Sequence, residues 1–171
     1  MAHTEIMDRL LQLLYFMAPA YAANMAPPLL RFWHGWNRPI HARLFGTHKT
    51  VLGFLLGVSV SLVVTAVQAR LALSWSLLDY RWWPLLGLGF GVGALGGDAL
   101  KSLAKRRIGI APGRPWVPFD QLDFVLGALL LVGWFSALNL MDVLLIVVVS
   151  FVADLVVNRV SFALGIKRTP W

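Results

Sequence analysis

Apolar residues in this chain neither alternate nor recur on a single helical face. They run on without a break through five stretches, roughly 10–26, 51–69, 83–100, 122–138 and 143–164. Crossing hydrocarbon takes about 20 residues, with a range of about 17–25. Such runs cross as helices, because lipid offers no partner to a free backbone N–H or C=O. The pattern predicts an all-α integral membrane protein, a single polytopic bundle of five transmembrane helices. Residues 1–171 then form a single transmembrane domain, since the connections are too short to hold a soluble one. Ala20-Tyr21-Ala22 has the form of a signal-peptide cleavage site. The residues before it include Glu5, Asp8 and a lone Arg9 rather than a basic cluster, so a retained first helix is expected.

Composition agrees with the pattern. The chain is 58% hydrophobic, against about 45–50% for a soluble domain. It has no cysteine, so disulfides and thiol catalysis are excluded. The net charge of +7 would suggest nucleic acid in a soluble protein. Here the cations sort by side of the membrane. Arg31, Arg38, Arg43, Lys49, Lys101, Lys105, Arg106, Arg107, Arg114, Arg159, Lys167 and Arg168 fall on one side, and only Arg9, Arg70 and Arg81 on the other. The positive-inside rule then places the N-terminus outside and the C-terminus in the cytoplasm. The charge is accounted for without nucleic acid, by topology and by attraction to anionic lipid and nucleotide. Trp33, Trp36, Trp75, Trp82, Trp83, Trp116 and Trp171 lie near predicted span ends, as interfacial anchors do.

Candidate chemistry concentrates between the third and fourth runs. Asp98, Lys101, Ser102, Lys105, Arg106, Arg107, Arg114, Asp120 and Asp123 are crowded there against hydrocarbon. Charges so placed must be paired, metal-bound or in a watered cavity. Asp120 and Asp123 share a helix face at three-residue spacing. A carboxylate at a helix start is favourable in itself, so capping competes as an explanation for Asp120. Capping cannot explain Asp98, at the opposite end of its helix. Mg²⁺ is typically held by one or two carboxylates plus substrate phosphates. Asp98, Asp120 and Asp123 are therefore the candidate metal ligands. Lys101, Lys105 and Arg106 suit a phosphate clamp, and a basic flank alone would explain Arg107 and Arg114.

Lys49 can neutralise a phosphate, Thr50 can cap the second span, and Asn24 sits among Pro19, Pro27 and Pro28 where a broken helix can line a cavity. Glycines at four-residue spacing in the third span (Gly87, Gly91; Gly89, Gly93; Gly93, Gly97) suit close helix packing, and Gly96-Gly97 can also leave room beside Asp98. No Walker-type phosphate loop is present. The four histidines show no zinc-ligand spacing, and no Ser-His-Asp order can be argued. Asp154, with Asn158 one turn on, is an intramembrane carboxylate whose role stays open.

Gly97-Asp98-x-x-x-Ser102-x-x-Lys105-Arg106, then Pro112-Gly113, then Asp120-x-x-Asp123, resembles the signature of the CDP-diacylglycerol synthases. The resemblance is closer to their archaeal branch, the CDP-archaeol synthases, which are small and have five spans. It extends to Phe45-Gly46-x-x-Lys49-Thr50-x-x-Gly53 and to Gly165-x-Lys167-x-x-Pro170-Trp171. The bacterial His-Gly-Gly before the aspartates is replaced here by Arg114-Pro115-Trp116-Val117-Pro118-Phe119. The resemblance implies a multi-pass enzyme of the cell membrane with its site facing the cytoplasm. The implied reaction is transfer of a cytidylyl group from CTP to an isoprenoid ether lipid phosphate (unsaturated archaetidic acid), releasing pyrophosphate, with Mg²⁺ as cofactor. It implies catalytic roles for Asp98, Ser102, Lys105, Arg106, Asp120 and Asp123. Asn24, Lys49, Thr50, Lys101, Arg107 and Arg114 would bind CTP or lipid phosphate. A CDP-alcohol phosphotransferase would need an Asp-Gly-x-x-Ala-Arg array that is missing, and a transporter would be expected to show inverted halves, which the spans lack. The sequence sets no oligomeric state.

Overall fold

The computed structural model describes residues 2–111 and 114–165. Pro112-Gly113 and the C-terminal Lys167, Arg168, Pro170 and Trp171 lie outside the described residues. Five long α-helices occupy the five apolar runs: α1 (Ala2–Met25), α3 (Val51–Leu71), α4 (Trp83–Arg107), α5 (Phe119–Val132) and α6 (Leu140–Ala163). A one-turn helix α2 (Ala42–Phe45) lies in the connection after α1. No strand is assigned among the described residues, only isolated bridges.

Boundaries differ from the runs in three places. Helix α1 begins at Ala2, well before the apolar run that starts near residue 10. The third run ends at Leu100, but α4 continues to Arg107, so Lys101, Ser102 and Lys105 extend the same helix. The fourth run reaches Leu138, yet α5 stops at Val132 and continues as a single 3₁₀ turn, Gly133–Phe135. Hydropathy records where apolar residues are, and does not register a tightening of the last turn.

An apolar core of α1, α4 and α5 residues, Phe16, Met17, Phe90 and Val125 among them, holds the bundle together, while α3 and α6 turn small and polar residues inward and apolar ones outward. On α3 the buried residues are Gly53, Gly57, Ser61, Thr65 and Gln68, while Leu55, Val63, Val67 and Leu71 are each more than half exposed. On α6, Asp142, Ser150 and Asn158 point inward, and Val148, Val152 and Val156 point out. Helices in lipid gain nothing by burying Leu or Val, and they associate through small and hydrogen-bonding residues. By themselves α3 and α6 are long and apolar enough to cross a bilayer.

Several internal polar groups are matched across helices. Pro19 has no N–H to give the Tyr15 carbonyl four residues back. Gln68, buried on α3, supplies the missing donor: its Nε2 reaches the Tyr15 oxygen at 2.6 Å. Ser61 Oγ donates to the Gly87 carbonyl at 2.9 Å, joining α3 to α4. At the far end of the bundle from Lys49, Arg9 grips Asp142 with two bonds of 2.8 and 2.5 Å. Asn139 and Asp142 form a capping box there at the start of α6.

The α4–α5 contact positions the acidic residues. A Cβ on Gly93 would lie 2.9 Å from the Ala128 Cα, and one on Gly97 would lie 3.0 Å from the Asp123 carbonyl carbon and closer still to its oxygen. Only glycine permits this approach of the two backbones. It brings Asp98, next to Gly97, against the first turns of α5.

Candidate active site

A cavity of about 830 Å³ opens where α1 ends and α3 and α5 begin, along the second halves of α4 and α6. Its lining includes Asn24, Lys49, Thr50, Asp98, Lys101, Lys105, Asp120, Gln121, Asp154 and Asn158. This is within the range of small-molecule sites, about 300–1,000 Å³. Of the residues expected from sequence, Asn24, Lys49, Thr50, Asp98, Lys101, Lys105 and Asp120 are brought together here, with Asp123 just behind the wall.

At the centre is Lys101. Its ammonium lies 3.2 Å from Asp98 Oδ1, 3.0 Å from Asp120 Oδ1 and 2.8 Å from Asp123 Oδ2. The candidate carboxylates thus converge, but on a cation of the chain itself. Among the described residues no group of three acidic or histidine side chains stands open as a metal cage. Asp123 Oδ2 is buried and accepts no well-aligned hydrogen bond, while Oδ1 accepts from the Phe124 N–H at 2.6 Å. That oxygen faces the Lys101 ammonium at 2.8 Å, so the point between the carboxylates is filled by the chain's own cation. With the ammonium displaced, three carboxylates around one point would offer a hard cation an all-oxygen donor set.

Two further lysines flank the centre. Lys105 Nζ lies 3.0 Å from both Asp120 oxygens and 2.6 Å from the Arg114 carbonyl. Lys49 ion-pairs with Asp98. A short antiparallel bridge places it: Ile40 N–H donates to the Lys49 carbonyl at 2.8 Å, and Val51 N–H to the Arg38 carbonyl at 2.9 Å. Burial, and then the Lys101 charge, hold the Lys49 ammonium down to about 8. Thr50 does cap α3, its Oγ1 accepting from the Gly53 N–H at 3.1 Å. Asp120 also accepts from the Trp116 N–H at 2.6 Å, so it closes the turn that leads into α5 while it faces the lysines.

The remaining candidates lie elsewhere. Ser102 Oγ donates to the Asp98 carbonyl at 2.9 Å within α4, and the residue is not part of the cavity wall. Arg106 turns to the Ile110 carbonyl at 2.5 Å. Arg107 and the Arg114 side chain are exposed and do not line the cavity. Sequence reading passed over Gln121, which reads as a spacer between two aspartates, and left Asp154 and Asn158 without a role. Arg31, counted only toward topology, also lines the cavity. The available signal was depth along the helix. Asp154 is fifteenth in α6 and Asp98 sixteenth in α4, and the two helices start at the same end of the bundle.

Comparison with known proteins agrees with the geometry. The family model "CarS-like: CDP-archaeol synthase" matches residues 6–171. The CDP-archaeol synthase of Methanospirillum hungatei is 36% identical over 169 residues, covering 91% of this chain and all of that one. That of Methanosphaerula palustris is 38% identical over 173 residues, with the same coverage. That of Pyrococcus furiosus is 31% identical over 179 residues, covering 96% of this chain and all of its own. A solved structure of an intramembrane enzyme for archaeal membrane lipid biosynthesis superposes with a TM-score of 0.73 at 27% identity, covering 87% of this chain and 94% of that one. This chain, a helical bundle around a charged cavity matched over nearly its whole length in this way, belongs to the CDP-archaeol synthase family, the nucleotidyltransferases of archaeal membrane-lipid biosynthesis.

Proposed function

We propose that the cavity joins CTP to an unsaturated archaetidic acid, giving CDP-archaeol and pyrophosphate, with Mg²⁺ at Asp98, Asp120 and Asp123. The observation that carries this is the convergence of those carboxylates on Lys101, with Lys49 and Lys105 at their edges. A triphosphate and a lipid phosphate repel, so the site must supply positive charge on two sides of the reacting phosphorus. Mg²⁺ held by the carboxylates would supply that charge to the triphosphate. Lys101, displaced from the carboxylates, then has a flexible stem long enough to reach a phosphate oxygen, and Lys49 and Lys105 stand on either side.

A lipid phosphate oxygen attacks the α-phosphorus. The new P–O bond forms as the bond from the α-phosphorus to the bridging β-oxygen breaks, and pyrophosphate carries away the electron pair. A phosphate monoester with a second pKa near 6 is already ionised at neutral pH. No general base is therefore required, and positioning with electrostatic stabilisation carries the rate.

The topology we infer is five crossings, with the N-terminus outside and the cavity on the cytoplasmic side where CTP is made. The basic residues support it, and so does the helix order: the cavity lies at the ends of α1 and α4 and the starts of α3 and α5. The lipid would enter sideways between helices. Purified protein given CTP, Mg²⁺ and archaetidic acid should release pyrophosphate and stop on chelation. Asp120→Asn and Asp123→Asn should abolish release, and normal turnover in both would end the assignment.

A further inference from the structure

One wall of the cavity carries polar groups that a phosphate does not explain. Tyr21, Phe124 and Ser150 close the space between α1, α5 and α6. The Tyr21 hydroxyl is 2.7 Å from Ser150 Oγ, and its ring meets Phe124 edge-on with centroids 5.9 Å apart. One turn from this plug, toward Lys49, stand Asn24, Gln121 and Asp154, all lining the cavity. Asn158, a turn further along α6, donates Nδ2 to Asp154 at 2.7 Å. Gln121 is only 2% exposed, and its Oε1 is buried without a hydrogen-bond partner. A buried acceptor left unmatched in the protein destabilises it, unless a ligand brings the donor.

The chemistry of the wall narrows the ligand. A phosphate brings only acceptors and negative charge, which a carboxylate and an amide oxygen repel. The ether oxygens of the lipid likewise only accept. A cytosine presents an exocyclic amine beside a ring nitrogen that accepts, and carboxylate and amide oxygens pair with that amine. Uracil places a carbonyl oxygen where cytosine has the amine, so oxygen would face oxygen. We propose that this wall reads the base of the nucleotide. Gln121 Oε1 and the Asp154 carboxylate accept from the cytosine amine, and a carboxamide of Asn24 or Asn158 donates to the ring nitrogen. The inference rests on the proposed CTP site, with the phosphates on the lysine side and the base toward α6. Ribose hydroxyls also donate, so sugar and base must be separated by experiment.

The test uses the purified full-length enzyme with archaetidic acid and Mg²⁺. It compares kcat/KM for CTP, UTP and dCTP in wild type, Gln121→Met and Asp154→Asn, with thermal unfolding as the check on folding. The CTP:UTP ratio should fall about tenfold or more in Gln121→Met, the discrimination carried by one good base contact. It should fall in Asp154→Asn as well, because the new amide can donate to the uracil oxygen. The CTP:dCTP ratio should hold in both. Where Gln121→Met is not recovered folded, the near-isosteric Asp154→Asn decides. An unchanged CTP:UTP ratio in the folded variants overturns the inference. So does a collapse of the CTP:dCTP ratio alone, which puts the sugar on this wall. Absence of CTP turnover in wild type removes the proposed site itself, and is distinct from either result.

Discussion

Replacing Lys101 by methionine removes the ammonium on which three carboxylates close, and keeps most of the side-chain volume. Unit charges about 3 Å apart at an effective dielectric near 20 attract by about 5–6 kcal/mol each, much of it offset by desolvation. The loss does not fall evenly. Asp98 keeps Lys49, and Asp120 keeps Lys105. Asp123, 5% exposed, has no other ion-pair partner among the described residues and is stranded. Breaking a buried pair on one side costs about 3–5 kcal/mol. Asp123 also retains its bond from the Phe124 N–H, so about 3 kcal/mol is expected in the absence of divalent cations. For a chain of this size that is about 6–12 °C in unfolding temperature. Adding Mg²⁺ should restore much of the loss in Lys101→Met while stabilising wild type less, because in wild type the ammonium competes for the same oxygens. The assay is thermal unfolding in detergent, with chelator or with Mg²⁺. Two outcomes would refute the reasoning: a variant as stable as wild type under chelator, or a Mg²⁺ gain no greater than in wild type. The variant should also lose pyrophosphate release, since Lys101 is then missing from the phosphate.

Gly97→Ala drives a methyl into the Asp123 carbonyl. It should cost about 1–3 kcal/mol by overpacking, and about 100-fold in turnover if Asp98 moves an ångström from Asp123; thermal unfolding and pyrophosphate release measure the two. Gln68→Leu leaves the Tyr15 carbonyl unmatched beside Pro19 and should destabilise by about 1–3 kcal/mol, read in detergent, with kcat/KM little changed in the folded fraction. Asp142→Asn breaks the charged pair with Arg9 at the opposite end of the bundle. A charged hydrogen bond is worth about 1.5–3 kcal/mol, so its unfolding midpoint should fall while CTP affinity holds.

The helices were legible because lipid imposes continuous apolar runs, and the third and fourth runs put Asp98, Asp120 and Asp123 at facing ends. The acidic centre was reached from cost, on the premise that Asp98 sits at a disfavouring helix end; α4 runs on to Arg107, so Asp98 lies inside the helix, and Lys49 and Lys101 answer its charge. What did not follow is the identity of the cation between the carboxylates. Lys101 reads as one of several flanking bases, and only the convergence of α4 and α5 places its ammonium among three aspartates. Ser102 and Arg106 shared the motif, yet helix phase sends Ser102 back to its own backbone and Arg106 to the chain end. Asp154 was visible as an anomaly in an apolar run. Its neighbours across the cavity, Asn24 and Gln121, come from helices far away in sequence, and no spacing along the chain connects them. Gln68 illustrates the same limit: its partner is a carbonyl freed by a proline 49 positions earlier.

The central claim is that aspartates of α4 and α5 hold a divalent cation against the triphosphate. Mn²⁺ standing in for Mg²⁺ reports on this directly by electron paramagnetic resonance of the purified protein with CTP. One tightly held Mn²⁺ population, dependent on CTP and lost in Asp98→Asn and Asp123→Asn, is the predicted result. Undiminished Mn²⁺ binding in both variants would contradict the account.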